Sequence, residues 1–396
     1  MSVNEPLRQL QTLRSFEPVQ LGSRIDAVLE QTLHDQRLVG AVVLVSHRGK
    51  LIYQRAAGLA DREAQLPMRE NALFRLSSVS KPIVSVAALA LIAQGKLNLE
   101  DDITRWLPYF KPTLSDGQPA LITVRQLLSH TAGFTYGFLE SDQGGPYRDA
   151  GVSDGMERSN LTLEDNLRRL SHAPLLYKPG SSWGYSIATD VLGGVIAAVT
   201  GTSLSAAIEA LIAKPLGLRD LGFGVSDARR LTPAYLNEQP QPRRMKELEV
   251  VPVFEGTAGI KLEPSRALDA TAFNSGGSGL VGSAGEFLQL LETLRKGGAP
   301  LLSKALVDEM SSNQTGDLAL DNWPGRGFGL GFTVLKDPVA AQTAESVGSW
   351  RLGGAYGHSW FVDPVEQLTV VAFTNTAFEG MFGQFTVDLC NAVYGQ

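Results

Sequence analysis

The chain has 396 residues, 43% of them hydrophobic, which is ample core material for about two to three domain-sized units or one large two-part domain. Lysine and arginine number 35 against 41 aspartates and glutamates, a net charge of -6 with no long basic run, so neither nucleic acid nor an anionic membrane is expected as a partner. The single cysteine, Cys390, excludes an internal disulfide, and its apolar C-terminal surroundings predict packing rather than reactivity.

Met1 to Phe16 is polar and charged and lacks the apolar core of a signal peptide; together with the absence of an uninterrupted apolar run of membrane-spanning length, this predicts a soluble cytoplasmic protein. Residues 23 to 36 carry the apolar spacing of an amphipathic helix. Gly40 to Ser46 and Leu51 to Ala56 read as two strands of a hairpin turned at His47-Arg48-Gly49-Lys50. Gly58 to Met68 reads as a polar connector. From Ser78 to Gly95 a run that is apolar nearly all round predicts a buried helix, with Pro82 tolerable only in its first turn. Thr123 caps a brief helix that Thr131-Ala132-Gly133-Phe134 breaks, and 135 to 160 reads as a long ordered loop, a kind usually functional. Two more apolar helices are expected at Ser186 to Val199 and Leu204 to Ile212. Residues 228 to 265 are polar, rich in proline, and carry no clear period. A glycine-rich turn at 273 to 285 feeds a helix from Ala284 to Lys296. Strands follow at Gly327 to Leu335, Glu345 to Gly348, Ala355 to Val362 and Leu368 to Asn375, then a closing helix from Thr386 to Tyr394.

Strands therefore sit at both ends and helices in the middle. The economical fold is α/β (α+β): one antiparallel sheet built from N- and C-terminal segments and flanked by helices, with an inserted helical region. The expected division is 1–77 with 276–396 for the sheet domain and 78–275 for the helical one, with a site in the cleft between them.

Ser78-Val79-Ser80-Lys81 opens the first buried helix. Residues three apart share a helix face, so the Ser78 hydroxyl and the Lys81 amine lie side by side on a rigid support. The pattern alone is weak, since a chain this long holds roughly one Ser-x-x-Lys by chance. A serine hydroxyl needs a base, and a lysine serves only with a depressed pKa or a second group. Tyr185 is the candidate second group, because it follows the Lys178-Pro179-Gly180 turn and precedes a buried helix, a junction like that of Ser78. Such a tyrosine can be partly phenolate beside an ammonium and can later protonate a leaving alkoxide. Acyl transfer also needs two N–H donors for the oxyanion, and the amides of Ser78 and Ala355 are the candidates, Gly353 and Gly354 leaving room for substrate beside the strand.

Four ordered stretches carry a resemblance: Phe74 to Lys81, Leu127 to Phe134, Lys178 to Ser186 and Gly354 to Phe361. Over about residues 20 to 395 the chain resembles the class C β-lactamase and penicillin-binding-protein-like serine hydrolases, and most of all the family VIII carboxylesterases. The resemblance implies the two-part fold, Ser78 as nucleophile, Lys81 and Tyr185 as its base pair, the Ser78 and Ala355 amides as oxyanion hole, and Tyr136 in the cleft wall. Two departures bear on substrate. Class C enzymes carry Tyr-x-Asn where this chain has Ile187, and Lys-Thr-Gly where it has Leu352-Gly353-Gly354. Those missing groups hold a β-lactam's amide and carboxylate. Their loss favours a neutral, apolar ester, with Ile187, Leu352, Gly353 and Gly354 lining its site. Family VIII esterases often have tryptophan where Leu352 stands, which leaves substrate shape open.

The expected activity is a carboxylesterase acting on short-chain esters as small-molecule partners, without cofactor. The alternatives are a β-lactamase or D-Ala-D-Ala peptidase, and a non-catalytic scaffold of the same fold. Gly180-Ser181-Ser182-Trp183-Gly184 also spells the nucleophile elbow of α/β-hydrolases, with His358 as its candidate base, but loop chemistry precedes Ser182 where that elbow needs a strand. Tyr235-Leu236-Asn237 spells Tyr-x-Asn in a proline-rich stretch with no helix behind it. The histidines show no metal-ligand spacing, so no metal is expected. Oligomeric state does not follow from the sequence.

Overall fold

The computed structural model describes Phe16 and residues 18–396, so the polar segment read as lacking a leader lies outside the described residues, except Phe16. Helix α1 (Leu21–His34) leads into the hairpin β1 (Gly40–His47) and β2 (Lys50–Asp61), followed by the short strands β3 (Leu66–Pro67) and β4 (Phe74–Arg75). Helix α2 (Ser80–Ala93) follows a tight turn at Ser77–Val79, and α3 (Val124–Leu128), α4 (Leu163–Leu170), α5 (Ala188–Thr200) and α6 (Leu204–Ile208) make up most of the middle. The chain returns through β5 (Val281–Gly282), α7 (Ala284–Arg295), β6 (Arg326–Phe328), β7 (Thr333–Leu335), β8 (Trp350–Gly354), β9 (His358–Asp363), β10 (Leu368–Thr374) and α8 (Gln384–Tyr394).

Eight strands form one antiparallel sheet in the order β6-β7-β8-β9-β10-β1-β2-β3. The N-terminal hairpin and the C-terminal meander meet where β1 pairs with β10, from Ala41 opposite Thr374 to His47 opposite Leu368. Side chains alternate across a strand, and β1 is buried on both faces, which its unbroken β-branched run allows. Val43 and Val45 point into a core shared with α1 and α8, while Val42 and Leu44 point into the larger core that contains α2, α5 and α7.

Helix α2 is buried from Ser80 to Leu91. It packs beside α5, whose Gly193 and Gly194 let neighbours close in: a Cβ on Gly194 would lie 2.5 Å from Leu167 Cδ1 of α4. Among the described residues no single helix is long and apolar enough to cross a membrane.

Several elements differ from the sequence expectation. The strand expected at Glu345–Gly348 is a turn, because the Asp363 carboxylate accepts the Ser346 N–H (3.0 Å) and Gly348 takes a φ of 90°; the strand begins at Trp350. The next strand starts at His358 rather than Ala355, since the Gly357 N–H closes a turn onto the Gly354 carbonyl at 2.8 Å. The proline-rich region holds two small hairpins, Tyr235–Leu236 with Arg243–Arg244 and Glu249–Val251 with Ile260–Leu262. The helix expected to reach Ile212 stops at Ile208 and widens into a π-turn over Glu209–Ala213. Pro215 lacks an N–H and crowds the preceding carbonyls, and the wider turn relieves that conflict.

Candidate active site

The register of the sheet creates the site. Strand β7 pairs with β8 only at Trp350 and Arg351, so Leu352 to Gly354 have no strand on that side. The turn that carries Ser78 takes the place of one. A Cβ on Gly354 would stand 2.6 Å from the Leu76 carbonyl oxygen, and one on Gly353 would stand 2.5 Å from Met381 Cγ. Gly354 therefore allows backbone to approach backbone, and Gly353 makes room for the Met381 side chain, instead of leaving the substrate space expected of them. Leu352 is buried in β8 and Ile187 wholly buried at the start of α5, with its N–H on the Thr135 carbonyl at 3.1 Å. Neither presents an exposed wall, because both sides of each are already packed.

Ser78 is partly exposed, and Lys81 behind it is fully buried. The Lys81 Nζ lies 3.1 Å from Ser78 Oγ and donates to the Gly277 carbonyl at 3.0 Å. Burial depresses the Lys81 pKa well below the ordinary ammonium value, while the Asp190 carboxylate opposes that shift. The Nζ is 4.6 Å from the centre of the Tyr185 ring. Burial pushes the Tyr185 phenol up, with the Ser78 hydroxyl pulling weakly the other way. Burial thus works against the partial phenolate that the sequence reading allowed, because a phenolate is costly to hold away from water.

His130 sets the position of Tyr185. Its carbonyl accepts the Gly184 N–H at 3.0 Å and its Nδ1 accepts the Ser186 N–H at 3.2 Å, which brackets the tyrosine on both sides. Burial, with Lys81 nearby, holds the imidazole pKa well below its ordinary value, which disfavours the imidazolium that could not accept this N–H. The Trp323 ring meets Tyr185 edge-on at 5.6 Å, and Tyr136 lies at 5.7 Å. Tyr136 is buried to 1% exposure, so it backs the site instead of lining an open cleft.

Asp190 is fully buried, and among the described residues its carboxylate has only the Ser275 hydroxyl and the Gly277 amide as nearby donors, neither in good hydrogen-bond geometry. A Cβ on Gly277 would lie 2.8 Å from Asp190 Oδ2, 2.9 Å from the Tyr136 hydroxyl and 3.5 Å from Lys81 Nζ, so three polar groups converge on one glycine. Among the described residues, no turn or loop acceptor takes the amides of Ser78 and Ala355. Two such unpaired N–H groups are what a developing oxyanion requires.

Sequence reasoning missed Asp190, Gly277, His130 and Trp323. Asp190 had a signal, as the lone acid in an otherwise apolar helix. The others are brought in by the fold from segments distant in the chain, Gly277 and Trp323 from well beyond the helical region's first half and His130 from the turn after α3. Of the remaining candidates, His358 is buried, places Nε2 2.8 Å from the Arg75 carbonyl, and has its pKa lowered to about 4 by burial. Ser182 lies in irregular chain with no strand before it. Tyr235 donates its hydroxyl to Glu63 at 2.6 Å. Among the described residues no group of three or more His, Cys, Asp or Glu side chains could hold a metal ion.

Residues 25–388 match the family model described as Beta-lactamase. The chain is 47% identical to Esterase EstB of Burkholderia gladioli over 386 residues, which cover 97% of this chain and 98% of that protein. It superposes on the structure of EstCE1, described as a hydrolase with promiscuous acyltransferase activity, with a TM-score of 0.92 and 46% identity, covering 96% of this chain and 99% of the other. Unliganded simvastatin synthase from Aspergillus terreus shares the fold at a TM-score of 0.73 and 22% identity, covering 96% and 98% of the two chains.

Proposed function

The chain belongs to the beta-lactamase family and is a carboxylic ester hydrolase, and from this premise we propose that it cleaves short-chain esters through an acyl-enzyme on Ser78. The observation that carries this reading is the approach of the Lys81 amine to within 3.1 Å of the Ser78 hydroxyl, in a site whose burial lowers the amine's pKa to about 7. Neutral Lys81 takes the hydroxyl proton as Ser78 Oγ bonds to the ester carbonyl carbon. The carbonyl oxygen becomes an oxyanion held by the Ser78 and Ala355 amides. The ester C–O bond then breaks, and the alkoxide leaves as an alcohol with the proton of the Tyr185 hydroxyl, which Lys81 replaces. Water adds to the acyl-enzyme by the same proton path in reverse, and the acid departs with Ser78 restored.

The rings of Trp183, Trp323 and Phe328 form one packed chain with that of Tyr185, which supports a small apolar ester as partner. Leu352 and Ile187 supply no charge or amide to grip a β-lactam, which favours the ester over the β-lactamase or peptidase alternative. The test is turnover of p-nitrophenyl butyrate beside a chromogenic cephalosporin, with Ser78→Ala as control. Ester turnover well above cephalosporin turnover, lost in Ser78→Ala, is expected. Cephalosporin turnover in excess would move the assignment to the alternative, and a phosphonate label on Ser182 would move the nucleophile.

A further inference from the structure

The oxyanion donors come from two segments far apart in the chain, one at Ser78 and one at Ala355. Such donors work only when both stand about 2.7–3.1 Å from one oxygen. Something must fix their separation, and the residue before the nucleophile is placed to do so. Ser77 is wholly buried and has a φ of 43°, the left-handed region that glycine enters freely and a side chain resists. Its hydroxyl oxygen accepts the Tyr356 N–H at 3.3 Å.

That bond falls on the peptide unit next to the Ala355 amide. The carbonyl of the same unit accepts the Phe378 N–H at 3.1 Å, and the Gly354 carbonyl one unit earlier accepts the Gly357 N–H at 2.8 Å. With the Ala355 amide's own peptide unit and the next one both tied, the direction of its N–H is set, and among the described residues no acceptor takes it. Ser77 is the side chain that joins this turn to the nucleophile's own turn. Gly354 permits the join, since a Cβ there would stand 2.8 Å from Ser77 Oγ.

We infer that Ser77 is a positioning residue for the oxyanion hole, its hydroxyl holding the Ala355 amide in register with the Ser78 amide. The inference rests on the Ser78 acyl-enzyme reading. The alternative is that residue 77 matters only for backbone shape, and two variants separate the cases. Ser77→Gly removes the hydroxyl and relaxes the backbone; Ser77→Ala removes the hydroxyl and keeps the conformational conflict.

Turnover of p-nitrophenyl butyrate, thermal midpoint, and inhibition by an alkylboronic acid, which forms a tetrahedral adduct, are measured on both. Both variants are expected to lose kcat by about tenfold to a hundredfold, the scale of a slightly misplaced reacting geometry. KM stays within about twofold, the boronate inhibition constant rises in step with the loss of kcat/KM, and Ser77→Gly melts close to the parent and above Ser77→Ala, relief of the left-handed backbone offsetting the unpaired Tyr356 N–H. Ser77→Gly with parental kcat would overturn the inference, whether or not Ser77→Ala is impaired. So would a fall in kcat without weaker boronate binding. Ser78→Ala is run beside them: if it keeps ester turnover, the acyl-enzyme reading itself fails, whereas an inactive Ser78→Ala with two normal Ser77 variants removes only the role of Ser77.

Discussion

A lysine beside a serine is a base only while it is uncharged, and here two buried groups set that charge in opposite directions. Desolvation drives the Lys81 proton off, and the Asp190 carboxylate holds it on. Activity should therefore rise with pH through the titration of Lys81, and kcat/KM should show that acid limb. Neutralising the acid in Asp190→Asn removes the charge that favours the ammonium, so the limb should move to lower pH; a limb that stays or moves up would disconnect the two groups. Because Asp190 and Tyr136 crowd the Cα of Gly277, the carbonyl that receives Lys81 Nζ is held by shape as well as by its hydrogen bond.

Short elements, not long ones, bring the chemistry together. Helix α2 supplies the support for Ser78 and Lys81, but Tyr185 sits in irregular chain and takes its position from His130, itself left-handed with a φ of 56°. Removing the ring in His130→Ala leaves the buried Ser186 N–H unpaired, at a cost of about 1–3 kcal/mol. The variant should melt earlier and lose kcat as Tyr185 shifts. His130→Asn should recover part of both, since asparagine tolerates the left-handed region and offers an acceptor. Equal damage from the two substitutions, in melting and turnover, would show that the bracket around Tyr185 does not depend on that acceptor.

At the scale of the molecule, the chain ends are clasped by the pairing of β1 with β10, and α1 and α8 cover the outer face of that joint. Cys390 lies buried in α8, and burial raises its thiol pKa to about 11, so it is a built-in reporter of this face. A thiol reagent at neutral pH should leave the native protein unlabelled and label it in step with the loss of ester turnover as urea is raised. Labelling well before activity falls would mean that the clasp opens independently of the site.

Composition and apolar period determined much of this protein by themselves. The unbroken runs in α2 and β1 can be satisfied only by burial, and Ser78, Lys81 and Tyr185 stand at junctions where such runs begin. Local pattern reaches as far as one turn of helix or one hairpin. It therefore found the Ser78–Lys81 neighbours, which are three residues apart, and misplaced the strand at Ala355, whose turn depends on how Gly354 meets Leu76. The glycines of β8 read the same in sequence whether they make room for substrate or for backbone. Only the tertiary structure decided between these, as it decided that Gly277 receives the lysine and that Ile187 and Leu352 are buried, because each of these depends on segments that meet from distant parts of the chain.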